Sequence, residues 1–261
     1  MIYTKKSLGQ NFLIDDNIKR KIINLVDIEN RNIIEIGAGK GSLTDEILKN
    51  NPKSLLIIEK DRLLAQFLKK KYQKLDFIET HCADILKFKL ERKVKRDSII
   101  LGNLPYNISS QILVKILKFR IWPPKFSDLV FMFQKELGEK ILGKFPSKNY
   151  SRMSILSGYR LNIFSKFLVS PNCFFPKPKV DSIVIHFKPI KKNNYKIKNI
   201  NNLEKVTSVI FSNKRKMINK SIKKIISIDK IKKISNLNLK LRPDKLSPEI
   251  YYEITKIFET Q

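Results

Sequence analysis

Glu35-Ile36-Gly37-Ala38-Gly39-Lys40-Gly41 sets three glycines at alternate positions behind a carboxylate, out of only eight glycines in 261 residues. Glycine lets a backbone turn tightly and touch a bound nucleotide. The G-x-G-x-G spacing is nonetheless shorter than the G-x-G-x-x-G that brings a pyrophosphate to a helix N-terminus. Glu35 would repel a pyrophosphate but suits a zwitterion carrying a sulfonium, so these residues point to S-adenosylmethionine. Glu59 lies 22 residues beyond Gly37, near the spacing at which an acidic residue accepts from ribose hydroxyls in nucleotide-binding folds. Its plainer role is a solvated carboxylate paired with Lys60 or Arg62. Asp84, in Cys82-Ala83-Asp84-Ile85, could accept from the cofactor's adenine amine or could cap a helical turn.

Asn103-Leu104-Pro105-Tyr106 is the sharpest signal. An exocyclic adenine amine is conjugated with its ring and is a poor nucleophile. A methyltransferase must therefore free its lone pair and aim it at the methyl donor. The Asn103 side-chain oxygen and a backbone carbonyl at Leu104 or Pro105 could hold the two amine hydrogens, while Pro105 stiffens the turn and Tyr106 offers a ring face. No strong base is required, because the proton becomes acidic once the methyl group is added. Alone, Asn-x-Pro is also an ordinary turn; behind the glycine loop, Glu59 and Asp84 it reads as an amine-binding site.

These residues need a scaffold that brings them to one place. The first 135 residues alternate short apolar runs with helical periodicity, the pattern of a mostly parallel α/β sheet. Strands are predicted at Asn32 to Ile36, Leu55 to Glu59, Phe77 to Glu79, Ser98 to Gly102 and Leu129 to Phe133, with later ones at Asn162 to Val169 and Ser182 to Phe187. Helices are predicted after Asp15 or Asp16, at Ser42 to Lys49, Arg62 to Lys71, Ser109 to Phe119 and Lys135 to Leu142. Ligands of open sheets bind beyond the carboxyl ends of the strands, so Gly37, Glu59, Asp84 and Asn103 should converge on one crevice. From about Pro189 the character changes to polar and helical, without glycine. Two domains follow: a catalytic, cofactor-binding domain over 1–189 and a basic helical, RNA-binding domain over 190–261.

The formal charge is +29, and residues 190–261 hold 18 Lys and Arg against 6 Asp and Glu. A polyanionic partner is the first expectation. The 43 lysines against 10 arginines, with abundant Ile and Asn, also fit the composition of an AT-rich genome. Two cysteines cannot form a disulfide framework, and no zinc-ligand spacing occurs, so no metal is expected. There is no signal-like apolar run near the N-terminus and no stretch of about 18 apolar residues. A soluble, cytoplasmic monomer without membrane association is expected.

Together with Gly9-Gln10-Asn11-Phe12-Leu13 and Phe174-Phe175-Pro176-Lys177-Pro178-Lys179-Val180-Asp181-Ser182, the motifs above resemble the ribosomal RNA adenine dimethyltransferase family, most nearly its bacterial small-subunit members. Phe211-Ser212-Asn213-Lys214-Arg215-Lys216 and Arg242-Pro243-Asp244 extend the resemblance into the tail. It implies a Rossmann-like methyltransferase fold with a mixed seven-stranded sheet and a small helical domain. It also implies that Asn11 and Leu13 contact S-adenosylmethionine and that Gly37, Glu59, Asp84 and Asn103 line its site. Phe174 would stack on a flipped adenine opposite Tyr106, as base-modifying enzymes sandwich an extruded base; an ordinary core role is the alternative, and Phe175 adds a second candidate ring. Lys40 stands where the family usually has an apolar residue.

The implied reaction is dimethylation of two adjacent adenines in the 3′-terminal hairpin of 16S ribosomal RNA within an assembling 30S subunit. Two rivals remain at this level. One is a large-subunit adenine methyltransferase conferring antibiotic resistance, and the other a catalytically silent assembly factor that only binds RNA.

Overall fold

A two-residue strand, β1 (Phe12–Leu13), precedes α1 (Asp16–Ile23), which begins where the Asp15 side chain accepts from the Ile18 amide at 3.0 Å. Then come β2 (Asn32–Ile36), α2 (Ser42–Leu48), β3 (Ser54–Glu59), α3 (Arg62–Lys71), β4 (Ile78–Cys82), β5 (Ser98–Asn103), α4 (Ser109–Leu117), β6 (Phe126–Gln134) and α5 (Lys135–Leu142). After α6 (Arg152–Arg160) the chain forms β7 (Leu161–Val169), β8 (Phe174–Phe175) and β9 (Ser182–Pro189). The tail holds α7 (Ile200–Phe211), α8 (Asn219–Ile222), α9 (Ile228–Ile231) and α10 (Pro248–Phe258). This computed structural model describes residues 10–260; Gly9 of the first motif lies outside them.

The seven-stranded sheet has the order β4-β3-β2-β5-β6-β9-β7. Strands β2, β3, β5 and β6 read as continuous apolar runs because they lie inside the sheet and are covered on both faces. They pair in parallel, as do β3 and β4, whereas β9 runs antiparallel to β6. The sheet is therefore mixed, as the resemblance implied. From β2 the chain winds outward through β3 and β4, then returns to β5 on the other side of β2. That reversal opens a crevice at the carboxyl ends of β2 and β5, the usual ligand position in such folds.

The chain divides into two units, one running up to Gly138 and taking up again over Asn162–Pro189, the other made of Glu139–Leu161 and the segment from Ile190. One break falls after Pro189, and Glu139–Leu161 groups with the tail instead of with the sheet. Within the second unit Arg152 pairs with Glu204 at 2.8 Å, the Tyr252 hydroxyl donates to the Ile155 carbonyl at 3.3 Å, and the Tyr159 and Tyr252 rings lie 5.1 Å apart. Helix α6 itself escaped the sequence pattern. Its serines and Gly158 are weak helix formers, and the helix is held instead by a Ser151/Ser154 capping box.

Candidate active site

A single cavity at the crevice is lined by Asn11, Phe12 and Leu13, by Glu35 to Gly39, by Glu59 and Lys60, by Ala83 and Ile85, and by Asn103 to Ile108. All the expected site residues except Asp84 and Phe174 are brought to it. The N-terminal segment is tied in by two hydrogen bonds: the Ser42 hydroxyl donates to the Leu13 carbonyl at 2.6 Å, and the Asn103 side-chain amide donates to the Asn11 carbonyl at 3.0 Å. This places Asn11 and Leu13 against the glycine loop, a contact no local pattern shows.

Gly37 and Gly39 adopt left-handed φ of +75° and +60°, a region costly for residues with a Cβ. A Cβ at Gly39 would also lie 2.9 Å from the Phe12 ring. Glu59 holds the loop in this shape. One of its carboxylate oxygens accepts from the Gly39 amide at 2.9 Å and the other from the Asp61 amide at 2.9 Å. The backbone amide of Lys60 also bonds this carboxylate, whereas the Lys60 ammonium pairs with Asp84. Burial raises the Glu59 carboxyl above its ordinary range, and the backbone bonds oppose that rise.

Asp84 is held by its own neighbours. Its carboxylate is tied to the Lys60 ammonium at 2.9 Å and to the Leu86 amide at 2.9 Å, and both contacts lower its pKa, Lys60 the more. Its neighbours Ala83 and Ile85 line the cavity, and the bond to the Leu86 amide is the turn-capping contact.

Phe174 is a correction. Alternation along a strand sends successive side chains to opposite sides. Because β1 and β8 pair with Leu13 opposite Phe174 and Phe12 opposite Phe175, Phe174 turns inward with 3% exposure while Phe175 is 64% exposed. Phe174 belongs to the cluster that includes Leu13, Ile23 and Cys173, so the ring with an open face is Phe175. Phe174→Ala is expected to destabilise the protein by about 3 to 5 kcal/mol, measured by denaturant unfolding. A loss below about 1 kcal/mol would contradict its core role.

At the end of β5, the amide donation from Asn103 to Asn11 leaves the Asn103 side-chain oxygen as an available acceptor. The Pro105 carbonyl already accepts from the Ile108 amide at 3.1 Å, so the Leu104 carbonyl is the better second acceptor. The Tyr106 hydroxyl bonds the Ser182 hydroxyl at 2.5 Å, fixing the ring through a β9 residue that is fully buried. Ser182 lies in a motif the sequence singles out, yet its partner 76 residues away is visible only in the fold.

Glu35 is 1% exposed, and its one side-chain partner is the Thr44 hydroxyl, which donates at 2.6 Å. Burial pushes its carboxyl up to about 7, with the Thr44 bond opposing and the Glu59 and Asp45 charges adding to the rise. The unfolded chain ionises this group at lower pH than the folded chain. Stability is therefore intact in acid and falls as pH rises to about 7, a loss of roughly 3 kcal/mol for a shift of this size. Glu35→Gln should remove that decline, so the denaturation midpoints of variant and ligand-free wild type should diverge between pH 5 and pH 8. Parallel profiles would contradict the burial of an uncompensated carboxylate.

A family model described as ribosomal RNA adenine dimethylase matches residues 1–260. The chain belongs to this family. The chain is 42% identical over 262 residues to ribosomal RNA small subunit methyltransferase A of Pelagibacter ubique, covering 99% of this chain and 98% of that protein. It is 37% identical to the protein of that name from Malacoplasma penetrans, covering 97% and 91%. Among solved structures, a dimethyladenosine transferase from Plasmodium falciparum superposes with a TM-score of 0.74 at 24% identity, covering 95% of this chain and 98% of that one. The 23S rRNA methyltransferase ErmE superposes at 0.66 and 20% identity, covering 95% and 100%. At these identities the two structures establish the shared methyltransferase fold. Members of the family dimethylate adenine in ribosomal RNA, and the chain carries a methyltransferase fold with the Asn103 to Tyr106 turn at its cavity. Among the described residues no cluster of His, Cys, Asp or Glu could hold a metal ion, and no helix is long and apolar enough to cross a membrane.

Proposed function

We propose that this protein transfers methyl groups from S-adenosylmethionine to two adjacent adenines in the 3′-terminal hairpin of 16S ribosomal RNA, within an assembling 30S subunit in the cytoplasm. The observation that carries this reading is the Asn103 side chain, held by the Asn11 carbonyl with its oxygen left free beside the glycine loop. Choice of the small subunit is supported by the names of the relatives at 37% to 42% identity.

The cavity fits the cofactor in charge and shape. Glu59, and Glu35 in its ionised form, provide negative charge for a cationic ligand, Gly37 and Gly39 present bare backbone, and Ile36, Leu43, Ile58 and Ile85 supply apolar wall. When bound, S-adenosylmethionine supplies an electrophilic methyl group. Asn103 and the Leu104 carbonyl hold the two hydrogens of the target amine, which turns its lone pair toward that group. Tyr106, anchored by Ser182, backs the flipped base. As the N–C bond forms the sulfonium–methyl bond breaks, and the nitrogen, now cationic, gives up one of its two hydrogens by way of these acceptors to water; the monomethylated amine keeps one hydrogen, which one of the two acceptors holds in a second transfer.

Phe175 is the ring we assign to the open side of the base, in place of Phe174. Phe175→Ala is expected to lower the single-turnover rate by about 10-fold, the scale of one lost stacking contact, with an unchanged unfolding midpoint. A wild-type rate would return that wall to another residue.

Mass spectrometry of ribosomal RNA from cells lacking and regaining the gene tests the whole reading. Two dimethyladenosines should disappear and return together in the small-subunit 3′ hairpin. A change confined to large-subunit RNA would establish the resistance-type rival, and no change in methylation would favour the silent factor.

A further inference from the structure

Tyr72, which closes α3, reaches back to the third glycine of the loop. Its hydroxyl shares one proton between an Asp45 carboxylate oxygen at 2.7 Å and the Gly41 carbonyl at 3.2 Å. The side chain is buried. That burial, with the Asp45 carboxylate adding to it, raises the Tyr72 pKa, so the hydroxyl stays a donor. The adjacent Lys71 ammonium holds the other Asp45 oxygen at 2.6 Å in a more open position.

Gly41 is the N-cap of α2 and brings no side-chain cap of its own. Its φ is +81°, and a Cβ there would stand 2.5 Å from the Tyr72 hydroxyl and 3.0 Å from Leu68 Cδ2. The Gly41 amide donates to the Ala38 carbonyl at 2.9 Å, and its carbonyl accepts from the Asp45 amide at 2.9 Å. Gly41 therefore closes the loop and opens the helix at once. Gly39 and Ser42, on either side of it, line the cavity, and Ser42 also ties down the N-terminal segment through the Leu13 carbonyl. Glu59 grips the loop at Gly39; the grip at Gly41 comes from α3.

We propose that Tyr72 is a positioning residue for S-adenosylmethionine, fixing Gly41 from behind the loop and thereby setting how the Gly39 backbone and Ser42 meet the cofactor. The inference rests on the proposed cofactor and extends its site to a side chain that acts through Gly41. A loop already held in its bound shape loses less conformational freedom when the ligand arrives. Without the hydroxyl that ordering falls on the binding step. Once the cofactor is seated the geometry is the same, so methyl transfer itself is unaffected.

The test pairs calorimetric titration of the full-length protein with S-adenosylmethionine and single-turnover methyl transfer at saturating cofactor to small ribosomal subunits lacking the modification. Tyr72→Phe keeps the ring, and the Gly41 carbonyl keeps the Asp45 amide, so no backbone group is orphaned and the variant is expected to fold. Its cofactor affinity should fall by about 3- to 10-fold, the scale of one hydrogen bond, with a wild-type rate at saturation. Lys71→Gln breaks the exposed pair on the same Asp45 and should leave the affinity nearly unchanged. Gly41→Ala should weaken binding in the wild-type background and less so beside Tyr72→Phe, where the added Cβ no longer meets a hydroxyl, so the two losses should not add. An unchanged affinity in Tyr72→Phe, even with a lower unfolding midpoint, would make Tyr72 a packing residue and overturn the proposal. Equal losses in Tyr72→Phe and Lys71→Gln, additive losses with Gly41→Ala, or a slower saturating rate at intact affinity would overturn it too. A wild-type protein that takes up no S-adenosylmethionine would overturn the cofactor reading itself, whereas wild-type uptake matched by Tyr72→Phe overturns this inference alone.

Discussion

Asn103→Ala is expected to slow single-turnover methyl transfer by about 10²- to 10³-fold, the usual cost of removing one preorganised polar contact from a reacting centre. The structure sharpens the reason. Asn103 spends its amide on the Asn11 carbonyl at 3.0 Å, so its oxygen has one orientation and no reorganisation is needed when the adenine amine arrives. Asn103→Asp should also be impaired, because a carboxylate oxygen would then face the Asn11 carbonyl oxygen and the side chain would rotate away. Rapid-quench measurement at saturating RNA separates the chemical step from release. Wild-type single-turnover rates in Asn103→Ala would remove this residue from the reaction.

The second large effect concerns Glu59. If its only role were to accept ribose hydroxyls, Glu59→Gln would keep most of the affinity, since an amide can still bond a hydroxyl. In the folded chain both carboxylate oxygens already accept backbone amides, from Gly39 and Asp61. Glutamine must turn its own amide toward one of these donors and leave that donor unsatisfied. Glu59→Gln should therefore weaken S-adenosylmethionine binding nearly as much as Glu59→Ala, by about 10- to 100-fold, which is the range for losing a hydrogen bond to a charged group. Calorimetry measures the affinity, and RNA binding by the second unit should be nearly unchanged. A Gln variant with wild-type affinity would reduce Glu59 to a ribose contact alone.

Which residues line the cavity was legible wherever placement depends on a short local pattern. The left-handed turns of Gly37 and Gly39 leave a glycine signature, and the strand-ending positions of Glu59 and Asn103 follow from runs of apolar residues with polar ends. The residues with ambiguous roles share one feature, which is that both available roles use the same local sequence. Asp84 can cap a turn or face a ligand, and in the fold it bonds the Leu86 amide and a lysine from the neighbouring strand end. Phe174 and Phe175 are adjacent aromatics whose facing is set by pairing with β1, more than 160 residues earlier.

Composition, periodicity and motifs by themselves determined an α/β methyltransferase with a basic helical tail, because buried parallel strands, glycine turns and charge excess are written in consecutive residues. Tertiary structure alone decided which face each side chain shows and who its partners are. The Asn103 amide is oriented by a carbonyl 92 residues away, the Tyr106 hydroxyl is anchored 76 residues away, and Glu139–Leu161 joins the tail through packing across α6 and α7. Such long-range contacts cost loop-closure entropy and are recovered only when the whole unit folds, so no window of sequence contains them.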